Sequence, residues 1–216
     1  MTDATDATDA TDATGAADQT GPAVPMVDFG PQTRLVARLA DGVSEEHLAL
    51  PTPCPKYAVR HLLGHIVGLT VAFRDAGRKD LGPTTDTNPG ASLPDITDGW
   101  RDTLAKALDE LAETWRDPAA WQGMTRAGGV DLPGGVAGLV ALDELVVHGW
   151  DLARATGQEY DPDEAALGAA HAFLAQATGP DRPPIFGPVV PVPDDAPLLD
   201  QVIGLSGREP GWKPAA

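Results

Sequence analysis

The sequence predicts a mainly α protein, four long helices packed as a bundle with a small C-terminal α/β appendage, and three observations carry that expectation. Apolar residues recur at helical spacing in four stretches between Met26 and Thr156. Clusters of proline and glycine separate those stretches. The chain has 216 residues, 42% of them hydrophobic, which is enough for one core with an appendage and too short for two full domains.

The opening TDATDATDATDAT repeats Thr-Asp-Ala, and almost no large apolar side chain occurs before Met26. Burial there cannot offset the entropy of ordering the chain, so residues 1–25 are expected to form a disordered acidic tail. Leu35, Val36, Leu39 and Ala40 mark a first helix within residues 26–50, with a short further turn at Ser44-Glu45-Glu46. It ends at PTPCP (residues 51–55), because three prolines in five residues cannot continue a helix. The second helix runs through VRHLLGHIVGLTVAF, about residues 58–76, with Gly64 and Gly68 read as points of close helix approach.

A loop rich in Gly, Pro, Thr and Asp follows to about residue 94, the natural place for a lid-like segment. Leu104, Leu108 and Leu111 stripe a third helix over about 95–115. Residues 121–133, with Gly128-Gly129, read as a hairpin or irregular crossover. The fourth helix covers about 135–156 and stops at Gly157, and a fifth covers about 163–178. PPIFGPVVPVPDD is too rich in proline for a central strand and is assigned an edge strand, followed by a short helix at 198–205. The resulting plan is a tail (1–25), a helical bundle (26–178) and a C-terminal extension (179–216).

Charge and cysteine content exclude several functions. The formal net charge is −17 and no Lys/Arg cluster occurs, which argues against nucleic acid and against an anionic membrane surface. The single cysteine, Cys54, excludes an intrachain disulfide framework and a Cys-rich zinc motif. With no signal-peptide pattern and no long apolar run, a soluble cytoplasmic protein is expected, with a small-molecule substrate and no evident protein partner.

The most apolar helix nevertheless contains DELVVHGWD, residues 143–151. At 100° per residue, Glu144 and His148 lie about 40° apart, with Asp151 about 20° from Glu144 on the other side. They share one face of a helix that Leu142, Leu145, Val146, Val147 and Leu152 make apolar nearly all round, so that face must look into the protein. The second helix repeats the pattern with His61 and His65, four residues apart. Two histidines and a carboxylate converging in an apolar bundle describe a metal site, since a divalent cation supplies the missing positive charge. A structural ion pair between Glu144 and His148 is the competing account.

LPTPCPKYAVRHLLGHIVG and ALDELVVHGWDLARATG, with FGPVVPVPDDAPLLDQVIGLSGREPGW, resemble the DinB-like, mycothiol-dependent maleylpyruvate isomerase superfamily of actinobacteria, over most of residues 28–212. The likeness is strongest to a metal-binding branch of uncharacterised proteins. It implies a DinB-like four-helix bundle holding a divalent metal, often zinc, with His65, Glu144 and His148 as ligands. His61 departs from the pattern, where an acidic residue is usual, and is left as an outer-shell or replacement ligand. Tyr57 stands where Trp is frequent. Asp151 either orients His148 or pairs with Arg154, while Cys54 reads as an inert packed thiol.

Three protein ligands leave a coordination position open. The resemblance implies that the position serves a thiol, mycothiol in kind, in a transferase or isomerase acting on a small electrophile. A non-catalytic metal- or ligand-binding bundle and a metal-dependent hydrolase, with Asp151 or His61 as its base, stay open.

Overall fold

The computed structural model describes residues 25–179, 182 and 186–214; residues 1–24, on which the acidic-tail expectation falls, lie outside them. Helix α1 (Gly30–Asp41) starts with Pro31 in its first turn, where a missing N–H costs nothing, and Asp28 accepts the Gly30 N–H at 2.9 Å. A single 3-10 turn, Glu45–His47, follows, with His47 Nδ1 accepting the Ser44 N–H. The proline-rich stretch is then closed on itself. The Thr52 hydroxyl sits between the carbonyls of Cys54 and Tyr57 (2.9 and 2.8 Å), and Pro51 bridges to Ala58.

Helix α2 (Val59–Arg78) ends at Lys79, which takes a left-handed φ of 61°. One turn, α3 (Pro83–Asp86), interrupts the loop that follows. Helix α4 (Trp100–Thr114) begins after Gly99, several residues later than the sequence predicts. The difference has a physical cause: the chain around Asp95 is used to cross α2. A Cβ on Gly64 would lie 2.5 Å from the Asp95 backbone, and Arg60 grips the Asp95 carboxylate at 2.6 Å. Gly64 therefore admits a crossing loop and no helix, while Gly68 faces open space.

A second single turn, α5 (Pro118–Trp121), is capped by the Asp117 side chain. The expected hairpin is present as antiparallel β1 (Met124–Ala127) and β2 (Val130–Pro133). Its two-residue turn, Gly128-Gly129, has positive φ at both positions, the geometry that suits a tight hairpin. Helix α6 (Gly134–Thr156) stops at Gly157 with φ +70°, and α7 (Glu164–Ala175) starts under an Asp163 cap. Helix α8 (Leu198–Leu205) is the last.

Helix α2 packs against both α4 and α6, and α1 packs against the same two from the opposite corner, which makes α1, α2, α4 and α6 a four-helix bundle. Leu62, Leu63 and Ile66 of α2, Leu104, Leu108 and Leu111 of α4, and Leu142 and Leu145 of α6 are buried between them. Each such side chain contributes roughly 1.5–3 kcal/mol through burial. Helix α7 covers the outer side of α6 and α8 covers α7, which explains why α6 is apolar nearly all round.

The edge strand expected within residues 183–195 is absent among the described residues. Residues 187–193 run extended along α8, with the Val190 N–H on the Gly204 carbonyl at 2.9 Å. Pro188, Pro191 and Pro193 offer no N–H for a ladder, and the only strand pair described, β1–β2, belongs to the turn before α6. The extension is thus a short helix plus an extended strap. No described helix is long and apolar enough to cross a membrane.

Candidate metal centre

His65 lies in the second turn of α2, and Glu144 and His148 lie one turn apart near the middle of α6. Because α2 and α6 pack side by side, the three side chains meet between them. Glu144 Oε2 lies 3.0 Å from His148 Nε2 and 3.4 Å from His65 Nε2, and the two rings stand nearly perpendicular with centroids 4.8 Å apart. One donor atom from each residue falls within 4.8 Å of the other two, a group that can hold a metal ion. Ligands at about 2.1 Å from a tetrahedral ion sit about 3.4 Å from one another, so these separations suit that geometry.

Behind His148, Nδ1 lies 2.9 Å from Asp151 Oδ2, and Asp151, with no exposed surface, is met by Arg208 at 3.1 Å. The site is not sealed. A quarter of the Glu144 side chain and 13% of the His65 side chain remain exposed. The Tyr57 ring is tilted over His65, centroids 5.4 Å apart.

The electrostatics follow from this arrangement. Burial works to raise the Glu144 pKa, but hydrogen bonds from His148 and His65 hold the carboxyl well below the usual range. Burial alone would lower the His148 pKa; hydrogen bonds to Asp151 and Glu144 outweigh it and push it up to about 9. Burial, then the nearby Asp151 carboxylate, raises the Cys54 thiol. Burial followed by Cys54 and Glu144 raises the Tyr57 phenol.

Among the residues singled out from the sequence, His65, Glu144 and His148 are brought together, with Asp151 on the far side of His148. His61 is not. Its Nδ1 turns back to accept the Ala58 N–H at 3.2 Å, satisfying one of the unpaired donors that every helix start leaves, and His61 stands outside the group of converging donor atoms. Asp151 pairs with Arg208 and His148, not with Arg154, whose guanidinium donates to the Trp212 carbonyl at 2.9 Å.

Two residues escaped the sequence reading. Arg208 lies in the GREPGW motif that carried the resemblance, yet nothing in its spacing announces a partner 57 positions away. Asp143 is buried, and its Oδ1 has no hydrogen-bond partner among the described residues. Burial, then the Glu144 charge, pushes its carboxyl up to about 8. The signal for both was the excess of carboxylates over cations on α6.

Fold and site together define a helical bundle with a His/Glu/His cluster between two of its helices. The chain belongs to the mycothiol maleylpyruvate isomerase N-terminal domain family, whose model matches residues 29–153. Two uncharacterized Mycobacterium tuberculosis proteins, MT0763 and Rv0738, are each 29% identical over 177 residues, covering 80% of this chain and 91% of theirs. Among solved structures, mycothiol-dependent maleylpyruvate isomerase shares the fold, with a TM-score of 0.50 at 18% identity over 69% of this chain and 68% of that one. A histidine-to-alanine variant of the same enzyme gives 0.52 at 16% identity, over 70% of each chain. The DinB-like bundle expected from the sequence is thereby the fold of the protein.

Proposed function

We propose that the protein is a metal-dependent enzyme that joins a small thiol of the mycothiol type to a small electrophile, as a transferase or an isomerase, at His65, Glu144 and His148. The observation that supports it best is the cluster itself: two imidazoles and one carboxylate at ligand spacing, open on one side. When bound, a divalent cation such as zinc supplies a Lewis acid that holds a thiol as its thiolate.

The chain's residues favour that use. His65 and His148 contribute Nε2 lone pairs without charge, and Glu144 contributes a single negative charge. With only one carboxylate among them, these three side chains would leave a bound divalent ion with a net positive charge, a setting that would favour an anionic sulfur over a neutral group. Asp151 accepts the Nδ1 proton of His148, which selects the tautomer with a free Nε2. Hydrolysis is less well served. Asp151 is already bonded to His148 and Arg208, and His61 has turned away, so neither of the bases the sequence offered is placed to take a proton from water.

The test is elemental analysis of freshly purified protein with Glu144→Ala as control, followed by assay of mycothiol with maleylpyruvate and with a haloalkane. Metal in the wild type only, with isomerised keto acid or consumed thiol, is the expected result. Metal retained with neither product formed would leave a binding bundle in place of an enzyme.

A further inference from the structure

The family match ends at residue 153, before the strap and α8, and the three clustered side chains all lie within it. The next shell does not. Arg208 follows α8 and reaches back 57 positions to place Nη2 3.1 Å from Asp151 Oδ2 and Nε 3.4 Å from Asp151 Oδ1. Asp151 has no exposed surface, and Arg208 is the only cation in contact with it among the described residues other than His148 itself. The same oxygen, Oδ2, lies 2.9 Å from His148 Nδ1. One carboxylate is therefore held between a guanidinium fork and an imidazole, and its orientation decides where the imidazole points.

We propose that Arg208 is a positioning residue of the site: by gripping Asp151 from the C-terminal segment, it fixes the ring of His148 so that Nε2 faces Glu144 and His65. Two features make the grip firm. The Arg208 N–H bonds the Ile203 carbonyl at 3.0 Å, and Nη1 bonds the Ser206 carbonyl at 3.2 Å, so the residue is tied to the end of α8. Gly207, with φ +86°, lies so close to Gly187 that a Cβ there would meet its backbone at 2.8 Å; the turn that aims Arg208 at α6 needs glycine. One turn along α6, Arg154 donates to the Trp212 carbonyl, a separate tie of the same segment that does not reach Asp151.

A lysine at position 208 could not reproduce the contact. The guanidinium places two donors on the two oxygens of one carboxylate, which sets its plane as well as its charge, whereas an ammonium supplies a point charge. With the plane of Asp151 free to turn, the hydrogen bond to Nδ1 no longer holds one ring orientation. Outer-shell partners of this kind typically change metal affinity 10- to 100-fold.

The experiment compares full-length wild type, Arg208→Gln, Arg208→Lys and Arg154→Gln by two readouts. The first is the long-range proton–nitrogen spectrum of the histidine rings in metal-free protein, which reports the ring of His148 without any metal. The second is titration with cobalt(II), followed by absorption. Arg208→Gln is expected to shift and broaden the His148 resonances and to weaken cobalt binding about 10- to 100-fold. Arg208→Lys should recover part of both, and Arg154→Gln, which loosens the same segment at its other anchor, should leave both unchanged. If Arg208→Gln lowers only the melting temperature, with wild-type ring resonances and cobalt affinity, Arg208 is structural and the proposal is wrong. The cobalt arm rests on the metal reading of the site. A wild type that binds no cobalt would refute that reading, while the ring spectra would still decide whether Arg208 positions His148. Should Arg208→Gln fail to fold, the ring spectrum of Arg208→Lys decides it alone, an unchanged spectrum overturning the proposal.

Discussion

Helix α2 carries two ionic networks to its neighbours, and they are built from different cations. Towards α4, Arg74 bridges Asp75 and Glu110 at 2.7 Å each, with Arg78 and Lys106 at 3.8 and 3.7 Å from Glu110. Towards α6, His65 and His148 flank Glu144, and Arg208 stands behind Asp151. Arg and Lys keep their protons throughout the physiological range, so the first network is complete as it stands. Histidine can lose its proton and bind a cation in its place, so the second has the chemistry that the proposed metal site requires. A network assembled from histidine is suited to exchange; one assembled from arginine is suited to staying shut.

Substitution should expose that contrast most sharply. His65→Ala, Glu144→Ala and His148→Ala are each expected to weaken zinc binding more than about 100-fold, beyond the loss typical of an outer partner, measured by chelator competition. Glu110→Gln, in the arginine network, should leave zinc affinity unchanged and lower the melting temperature only slightly, as loss of a partly exposed ion pair does. Zinc lost from Glu110→Gln and kept by Glu144→Ala would reverse the roles assigned to the two networks.

The pH response should separate the two states of the histidine network. In metal-free protein, His148 is pushed up to about 9, above its unfolded value, so its pairing adds stability that is complete below about 6.5 and disappears as pH rises through about 9. Glu144, held below its unfolded value, adds stability present above about 4.5 and lost as pH falls further. Metal reverses the first of these, because protons compete with it for the imidazoles. The melting-temperature gain from zinc, read against a chelator, is expected to be large at pH 8 and small at pH 5.5. No gain at either pH, with greater stability at the acidic one, would leave an ion pair as the whole account of Glu144 and His148.

How far the sequence revealed these regions depended on whether the signal was local. The helices of the bundle follow from 3.6-residue periodicity, and the ends at Gly157 and Asp163 from residues whose backbone or side chain suits a helix end. The turns α3 and α5 did not show, because four residues carry no period. The edge strand failed because a strand needs a partner that spacing does not reveal. His61 and His65 look equivalent on a helical wheel, yet one ring caps the helix and the other faces α6, a difference set by nearness to the helix start. Arg208 is the extreme case, a contact made only when the C-terminal segment has docked.

A smaller effect is expected at Asp143, which neither network uses. Its carboxyl, pushed up to about 8 by burial and by Glu144, stays protonated while the unfolded chain's ionises near 3.9. The folded state then binds the extra proton, so this group lowers stability progressively as pH rises from about 4 to about 8. Asp143→Asn keeps the shape and removes the titration. Its melting temperature should match wild type near pH 4 and exceed it at pH 8, with zinc affinity unchanged. Equal melting temperatures at both values would mean that Asp143 has a partner in solution.

The smallest expected change concerns Cys54, which sits close enough to the histidine network for Asp151 and Glu144 to raise its thiol. Proximity of this kind invites the idea of a fourth ligand. A thiol binds metal as thiolate, and both burial and the neighbouring carboxylates disfavour that form here. Nor does Cys54 join the group whose donor atoms converge. Cys54→Ser is therefore expected to keep zinc affinity within about 2-fold and to cost about 1 kcal/mol of stability at most, the order of burying a hydroxyl that can bond locally. Cobalt absorption offers the sharper reading, because a thiolate ligand adds an intense charge-transfer band in the near ultraviolet. Its absence in wild type, with spectra unchanged in Cys54→Ser, is the expected result; a band present in wild type and lost on substitution would make the site one of four protein ligands, with no position left for an external thiol.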